Sequence, residues 1–114
     1  MTHEFALWLR DLVLAGEPLV FFHVPNESFT SVTFSVKLNS MGRISGAPDF
    51  VITTKENTIY IELKAKSSRG TLSPNQKAFQ SWCELAEVPY YVASSLEEAQ
   101  NIVREQLLPD SLLA

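Results

Sequence analysis

Three charged residues stand out in a stretch that otherwise has the pattern of buried sheet. Asp49, Glu62 and Lys64 lie within GAPDFVITTKENTIYIELKAK, residues 46–66. Uncompensated buried charges are costly beside the total stability of a small domain, so folding alone favours apolar side chains at these positions. Two neighbouring carboxylates are also groups that can hold a hard divalent cation such as Mg²⁺. The spacing therefore indicates a site with chemistry.

A β-hairpin is predicted to position these residues. Apolar and β-branched residues predict strands over 48–54 and 58–65, joined by a polar turn. Because strand side chains alternate between faces, Glu62 and Lys64 share one face, while Ile59, Ile61 and Leu63 face the core. One face of the hairpin is thus apolar and the other carries charge.

The predicted register of the hairpin brings the two carboxylates together. A turn centred on 56–57 places Asp49 opposite Lys64 and Val51 opposite Glu62. Asp49 and Glu62 are then diagonal neighbours, about 7–8 Å apart at the backbone, and one cation can bind both. A structural salt bridge between Asp49 and Lys64 is the alternative, but a divalent cation accounts better for the second carboxylate.

Hydrophobic periodicity predicts the remaining elements around the hairpin. A helix is predicted over 3–15, a buried strand over 19–24, a strand over 88–93, and a last helix that Ser95 caps and that ends before Pro109. The segment 29–41 fits a strand or a short helix, and we favour the helix. This order predicts one α/β domain over 1–114, with a mixed sheet flanked by helices.

A further helix begins with Ser73-Pro74-Asn75-Gln76. Serine at the N-cap, proline at the first helical position and glutamine at the third form a capping box. The apolar spacing predicts an inner face of Phe79, Trp82, Cys83 and Ala86. Cys83 is the one cysteine of the chain, which excludes a disulfide framework and indicates a small core residue.

Charge and hydropathy narrow the class of partner. The formal net charge is −4, yet residues 37–77 hold seven of the nine basic residues against three acidic ones. A locally basic middle around buried carboxylates suits a polyanion partner, with solvated surface charge as the alternative. No apolar run approaches the ~20 residues of a membrane span, and residues 1–20 lack a basic region followed by a hydrophobic stretch. We expect a cytoplasmic protein without a membrane partner.

The motifs together resemble a known nuclease family. Gly46-x-Pro48-Asp49, Glu62-x-Lys64 and Leu72-Ser73-Pro74-x-Gln76 resemble the virus-type replication-repair nuclease (VRR-NUC) domains, a branch of the PD-(D/E)XK nuclease superfamily. Phe22-His23-x-Pro25-Asn26 resembles the early strand and loop of the stand-alone members. The resemblance spans most of the chain and implies a PD-(D/E)XK nuclease-like fold.

The same resemblance implies a Mg²⁺- or Mn²⁺-dependent phosphodiesterase acting on DNA. Asp49 and Glu62 correspond to the metal ligands, and the backbone carbonyl of Leu63 completes the protein's share. Lys64 corresponds to the residue that positions the attacking water or helps to deprotonate it. Gln76 corresponds to the helix glutamine beside the active site, although the capping box offers a structural role for the same residue.

Other polar residues have a functional and a structural interpretation. Lys66, Arg69 and Lys77 follow the motifs and suit DNA phosphate contacts, or they are simply solvated. Glu4 corresponds to an additional acidic residue of some superfamily members, but a glutamate favoured by the helix dipole is the simpler interpretation. His23 fits a hydrogen-bonded residue at the end of a strand better than a substrate contact.

With this resemblance, we expect a small structure-selective DNA endonuclease of phage or bacterial origin, in a bacterial cell or a phage-infected host. Holliday junctions are the leading substrate for a stand-alone domain. The alternatives are a flap or nicking nuclease on the same fold, a catalytically idle DNA-binding or interaction module, and phosphodiester chemistry on a substrate other than DNA. Surplus apolar residues predict a homodimer, with a complete small core as the alternative. These residues are Ala6, Leu7 and Leu14 and the tail 107–113.

Overall fold

The computed structural model describes residues 1–24, 46–65 and 71–112. In chain order, the elements are helix α1 (Thr2–Leu14), strands β1 (Leu19–His23), β2 (Phe50–Thr54) and β3 (Thr58–Leu63), helix α2 (Pro74–Ala86), strand β4 (Tyr90–Ala93) and helix α3 (Leu96–Gln106). Every element predicted within these ranges is present. The segment 29–41 lies outside the described residues.

The four strands form one mixed sheet in the order β1-β2-β3-β4. Strands β1, β2 and β3 pair antiparallel, and β3 pairs with β4 in parallel. The connection from β3 to β4 contains α2, as a parallel pair requires. The predicted α/β class, a mixed sheet flanked by helices, is therefore confirmed. None of the described helices has the length and apolarity that a membrane span requires.

The hydrophobic core lies on one face of the sheet, beneath α1 and α3. Phe50 and Ile52 of β2 and Ile59 and Ile61 of β3 are fully buried there. Phe5 of α1 packs edge-on against Phe50, with ring centroids 5.0 Å apart. The apolar spacing of the first helix predicts Phe5, Trp8, Leu9, Leu12 and Val13 on its core face; all of these are buried or half-buried except Val13, which is exposed because it lies at the edge of that face. Gly16, with φ +96°, follows the C-cap of the helix. Helix α3 begins at Ser95, whose side chain accepts a hydrogen bond from the Glu98 amide.

The second face of the sheet is covered only in part by the described residues. Helix α2 lies over β3 and β4, since the ring of Phe79 is 5.9 Å from Tyr60 and 6.2 Å from Tyr90. On β1, Val20 and Phe22 are 65% and 59% exposed. The prediction of a buried strand over 19–24 was therefore wrong for this face, because β1 lies at the end of the described sheet and α2 does not reach it.

Two apolar predictions need correction. On the predicted inner face of α2, Cys83 is buried and Phe79 half-buried, but Trp82 and Ala86 are exposed. The helix rests on the sheet along a narrow contact, so the outer part of the predicted face reaches solvent. In the tail, Leu107 and Leu108 belong to the core, as the complete-core alternative predicted, whereas Leu112 is fully exposed.

The register of the hairpin differs from the predicted one. Thr53 pairs with Thr58 and Phe50 pairs with Ile61, and a hydrogen bond from the Thr54 amide to the Asn57 carbonyl closes the turn. The turn is thus centred one residue earlier than predicted, and each residue of β3 faces a partner two positions earlier. A shift of two keeps every side chain on its predicted face. Continued by one pair, the observed register puts Asp49 directly opposite Glu62.

Candidate functional site

Glu62 is the centre of the site. It is the one charged side chain in the described ranges that is buried, at 4% exposure, and it lies between the sheet and the first turn of α2. Its Oε1 accepts a hydrogen bond of 2.6 Å from Gln76 Nε2. Its Oε2 is buried and has no hydrogen-bond partner among the described residues. A buried carboxylate oxygen in this position is unfavourable unless a donor or a cation meets it.

Asp49 is fixed beside Glu62 by its backbone and by its side chain. The Leu63 amide donates a 2.8 Å hydrogen bond to Asp49 Oδ2. The Asp49 carbonyl accepts hydrogen bonds from the Val24 amide at 2.7 Å and from His23 Nδ1 at 3.2 Å. Asp49 therefore joins the ends of β1 and β3, and its carboxylate is tied to the peptide that follows Glu62.

The two carboxylates affect each other electrostatically. Burial, and next the negative charge of Asp49, raise the pKa of Glu62 to about 7, while the charge of Lys64 and a backbone hydrogen bond of Asp49 act in the opposite direction. Removal of water and the proximity of a like charge both disfavour the ionised form of a carboxyl group. Glu62 therefore titrates near neutral pH when no cation is bound.

Gln76 completes the capping box and also contacts Glu62. Its Oε1 accepts a 2.8 Å hydrogen bond from the Ser73 amide, while the Ser73 hydroxyl accepts one from the Gln76 amide at 3.2 Å. The capping box is therefore complete. The side-chain nitrogen of the same residue is then directed to Glu62. The cap orients the amide, and the amide holds the carboxylate.

The loop before Asp49 packs closely against this helix start. Gly46 has φ +84°, and a methyl group at its Cα would collide with the carbonyl group of Asn75 and come within 2.8 Å of the Gln76 nitrogen. A side chain at position 46 would therefore push the loop away from α2. Pro48, which follows, is fully buried. The Gly46-x-Pro48-Asp49 motif thus has a structural reason, because it joins the Asp49 loop to the first turn of α2.

Lys64 is half-buried at the end of β3, where its amide donates to the Ala93 carbonyl at 2.8 Å. Its charge lowers the pKa of Glu62, so it lies within electrostatic reach of the site. The alternative of an Asp49–Lys64 salt bridge stays a prediction, since the hydrogen bond from the Leu63 amide occupies only one oxygen of the Asp49 carboxylate.

The other predicted residues are Glu4, His23 and three basic residues. Glu4 is exposed and binds the Met1 ammonium group at 2.6 Å, which holds its pKa below the ordinary value. His23 is a hydrogen-bonded residue at a strand end, with its ring 5.0 Å from that of Phe50. Lys77 lies exposed on α2, one residue after Gln76. Lys66 and Arg69 lie outside the described residues.

Sequence reasoning missed Tyr90. Its hydroxyl oxygen is buried and has no hydrogen-bond partner in the described part of the chain. Burial, and then the charge of Glu62, raise its pKa above the ordinary value. The alternation of residues along β4 contained the signal, but it could be used only once the parallel pairing with β3 was known.

The two carboxylates fit a hard divalent cation that takes only a few of its ligands from the protein. The described residues contain no group of three or more histidine, cysteine, aspartate or glutamate side chains that could hold a metal ion. Asp49 and Glu62 supply two carboxylates, and the buried Oε2 of Glu62 lacks a partner within the described ranges. Mg²⁺ is commonly bound by one or two carboxylates, with waters and substrate phosphate as its other ligands. The residues present therefore fit Mg²⁺ or Mn²⁺.

The chain matches no family model, and it has no significant match to a curated protein or to a solved structure.

Stability without divalent cations should fall as the pH rises through the titration of Glu62. In the unfolded chain this carboxyl group has its ordinary pKa of 4.5, and in the folded chain the pKa is about 7. Between these values the folded state holds the extra proton, so the free energy of unfolding decreases with rising pH. We expect a loss of roughly 1–3 kcal/mol from this group between about pH 5 and pH 8, measured by urea unfolding in EDTA.

Glu62→Gln removes this group and should flatten the slope. The matched control is Glu84→Gln, at an exposed position of α2, which should retain the wild-type slope. A slope that Glu62→Gln leaves unchanged would contradict the assignment of the raised pKa to Glu62.

Gln76→Glu separates the two roles of Gln76. A glutamate can still accept the Ser73 amide, but it replaces the donor to Glu62 with a second carboxylate. We expect a destabilisation of about 1–3 kcal/mol at about pH 8 that shrinks at about pH 5, where a protonated carboxyl group can donate to its neighbour. Thermal melting in EDTA at both values measures it. Ser73→Ala, which weakens only the cap, should cost about 1 kcal/mol at both. An equal loss at both pH values for Gln76→Glu would refute the contact with Glu62.

Proposed function

We propose that this chain is a Mg²⁺- or Mn²⁺-dependent deoxyribonuclease of the VRR-NUC class, which hydrolyses phosphodiester bonds in DNA. The observation that carries the proposal is the buried Glu62 carboxylate. One oxygen is held by Gln76, and the other is buried without a partner in the described ranges, beside the fixed carboxyl group of Asp49. The motifs that resemble the family are the same residues that meet at this site.

The cation would be held by Asp49, Glu62 and the backbone carbonyl of Leu63. The Leu63 amide already donates to Asp49 Oδ2, so the Leu63 peptide lies beside that carboxylate. When bound, the cation supplies a lowered pKa for an attacking water and a positive charge against the phosphate. It also offsets the repulsion between the two carboxylates, which raises the pKa of Glu62 in its absence.

The chain's own groups do the remaining work. Gln76 keeps Glu62 in one orientation through a short hydrogen bond. Lys64, near the carboxylates and half-buried, provides an ammonium group that orients the attacking water or stabilises its deprotonated form. Lys77 is exposed one residue beyond Gln76, and we propose that it contacts a DNA phosphate, as we also propose for Lys66 and Arg69.

The arrangement favours an enzyme over a catalytically idle binding module. A module without chemistry gains nothing from a carboxylate buried beside a second one, and an apolar residue there would be more stable. Among DNA substrates, a Holliday junction is the leading proposal for a stand-alone domain of this class, and a flap or nicked duplex is the second.

A cleavage assay on labelled junction, flap, duplex and single-stranded DNA tests the activity. We expect cutting with Mg²⁺ or Mn²⁺ and none with EDTA. Asp49→Asn and Glu62→Gln should each abolish cleavage while the fold persists, because each removes a ligand and a repulsive charge. Lys64→Ala should lower the turnover by about 100-fold or more but leave calorimetric Mn²⁺ affinity nearly unchanged, since the ammonium group does not bind the cation.

Glu84→Gln is the control and should cleave like the wild-type protein. Near wild-type cleavage by Asp49→Asn or Glu62→Gln would overturn the assignment of the ligands. Equal losses of turnover and of Mn²⁺ affinity in Lys64→Ala would make Lys64 a structural partner of the carboxylates.

We also propose that the chain acts as a homodimer, since a four-way junction requires two symmetric cuts. With Leu107 and Leu108 assigned to the core, the surface that remains is the exposed side of α1 with Leu14, which is 76% exposed, together with Leu112. Light scattering at micromolar concentration should give twice the mass of the chain, and Leu14→Glu should reduce it. A monomer that cuts flaps but leaves junctions whole would replace the junction-resolving function with that of a flap nuclease.

A further inference from the structure

We propose that Tyr90 is a positioning residue for Glu62. Its hydroxyl donates a hydrogen bond to Glu62 Oε2, directly or through one buried water, and this bond fixes the orientation of the carboxylate. The inference rests on the proposed function, since it names a residue that would hold the proposed cation ligand Glu62 in one orientation. It rests on three observations of the layer between the sheet and α2.

The two atoms are complementary and lack partners in the described structure. Glu62 Oε2 and the hydroxyl oxygen of Tyr90 are the buried side-chain polar atoms without a hydrogen bond among the described residues. A carboxylate oxygen accepts hydrogen bonds, and a phenol hydroxyl donates one. Each atom is therefore of the type that the other requires. Buried polar groups are rarely left unpaired, and a small side-chain rotation or a buried water resolves such pairs.

The strand register places the two residues on the same face. In the parallel pair of β3 and β4, Tyr60 is opposite Tyr90 and Glu62 is opposite Val92. Glu62 and Tyr90 are thus one diagonal step apart, with both side chains toward α2. Tyr91, the next residue of β4, points to the opposite face and packs against the hydrophobic core.

Helix α2 lies over both Glu62 and Tyr90. Gln76 contacts Glu62, and Phe79 lies against Tyr90 with ring centroids 6.2 Å apart. Residues three apart on a helix are neighbours on one face, about 5–6 Å apart at Cβ. Gln76 and Phe79, neighbours on one face of α2, therefore cover Glu62 and Tyr90, so that both lie in the same layer between the sheet and the helix.

The chemistry of the neighbouring groups agrees with a donor role. A phenol hydroxyl carries its proton at neutral pH and can donate it to a carboxylate. Cys83 is the competing neighbour, but a thiol is only a weak acceptor. A carboxylate has lone pairs for both a cation and a hydrogen bond, and ligating carboxylates are commonly held by such second contacts.

Mn²⁺ affinity, measured by calorimetric titration, tests the effect on the site. Tyr90→Phe removes only the hydroxyl, and we expect it to weaken Mn²⁺ binding by about 10-fold or more. The matched control is Tyr91→Phe, one residue away on the core face, which should bind Mn²⁺ like the wild-type protein. Wild-type affinity in Tyr90→Phe, or an equal loss in Tyr91→Phe, would overturn the proposal.

A double-mutant cycle in EDTA tests the bond itself without any cation. Tyr90→Phe should lower the melting temperature of the wild-type chain at neutral pH but have a clearly smaller effect in a Glu62→Ala background, where the acceptor is gone. Equal shifts in the two backgrounds would refute the hydrogen bond. If the wild-type chain binds no Mn²⁺, the proposed nuclease function fails, whereas the cycle still decides whether Tyr90 holds Glu62.

Discussion

The burial of one carboxyl group determines how this structure is organised around its site. Glu62 lies on a strand whose alternate residues build the core, so its side chain must enter the layer between the sheet and α2. The hydrogen bond from Gln76 satisfies one oxygen, and burial beside Asp49 raises the pKa of the group. The surrounding elements hold this unfavourable group in one place, beside the second carboxylate that we propose as its partner in binding a cation.

Several separate elements converge to create this condition. The capping box directs the Gln76 amide downward, and Gly46 lets the preceding loop lie against the same helix turn. The Leu63 amide and the ends of β1 and β3 fix Asp49. These contacts belong to folding as much as to function, because the loop motif, the helix start and the strand end are each stabilised by them. The residues of the proposed site are therefore also residues that define the geometry of the fold.

The sequence predicted the elements well and their lateral contacts less well. Period-2 alternation was enough to put Asp49 and Glu62 on one face, and this survived an incorrect register because the shift was by two residues. The register itself depended on which polar residues formed the turn, and several were equally suitable. Periodicity on α2 predicted which side faces inward but not how far the sheet extends beneath it, so Trp82 was wrongly placed. Tyr90 could not be found before the order of the strands was known.

The central claim is that Asp49 and Glu62 together bind a divalent cation, and paramagnetic broadening by Mn²⁺ in amide NMR spectra tests it most directly. Substoichiometric Mn²⁺ should first broaden the backbone amides of Asp49, Glu62 and Leu63 and the side-chain amide of Gln76, since these groups lie around the two carboxylates. Added Mg²⁺ should reverse the effect. Unchanged signals from these four groups, with broadening only at exposed carboxylates such as Glu97, would contradict the account.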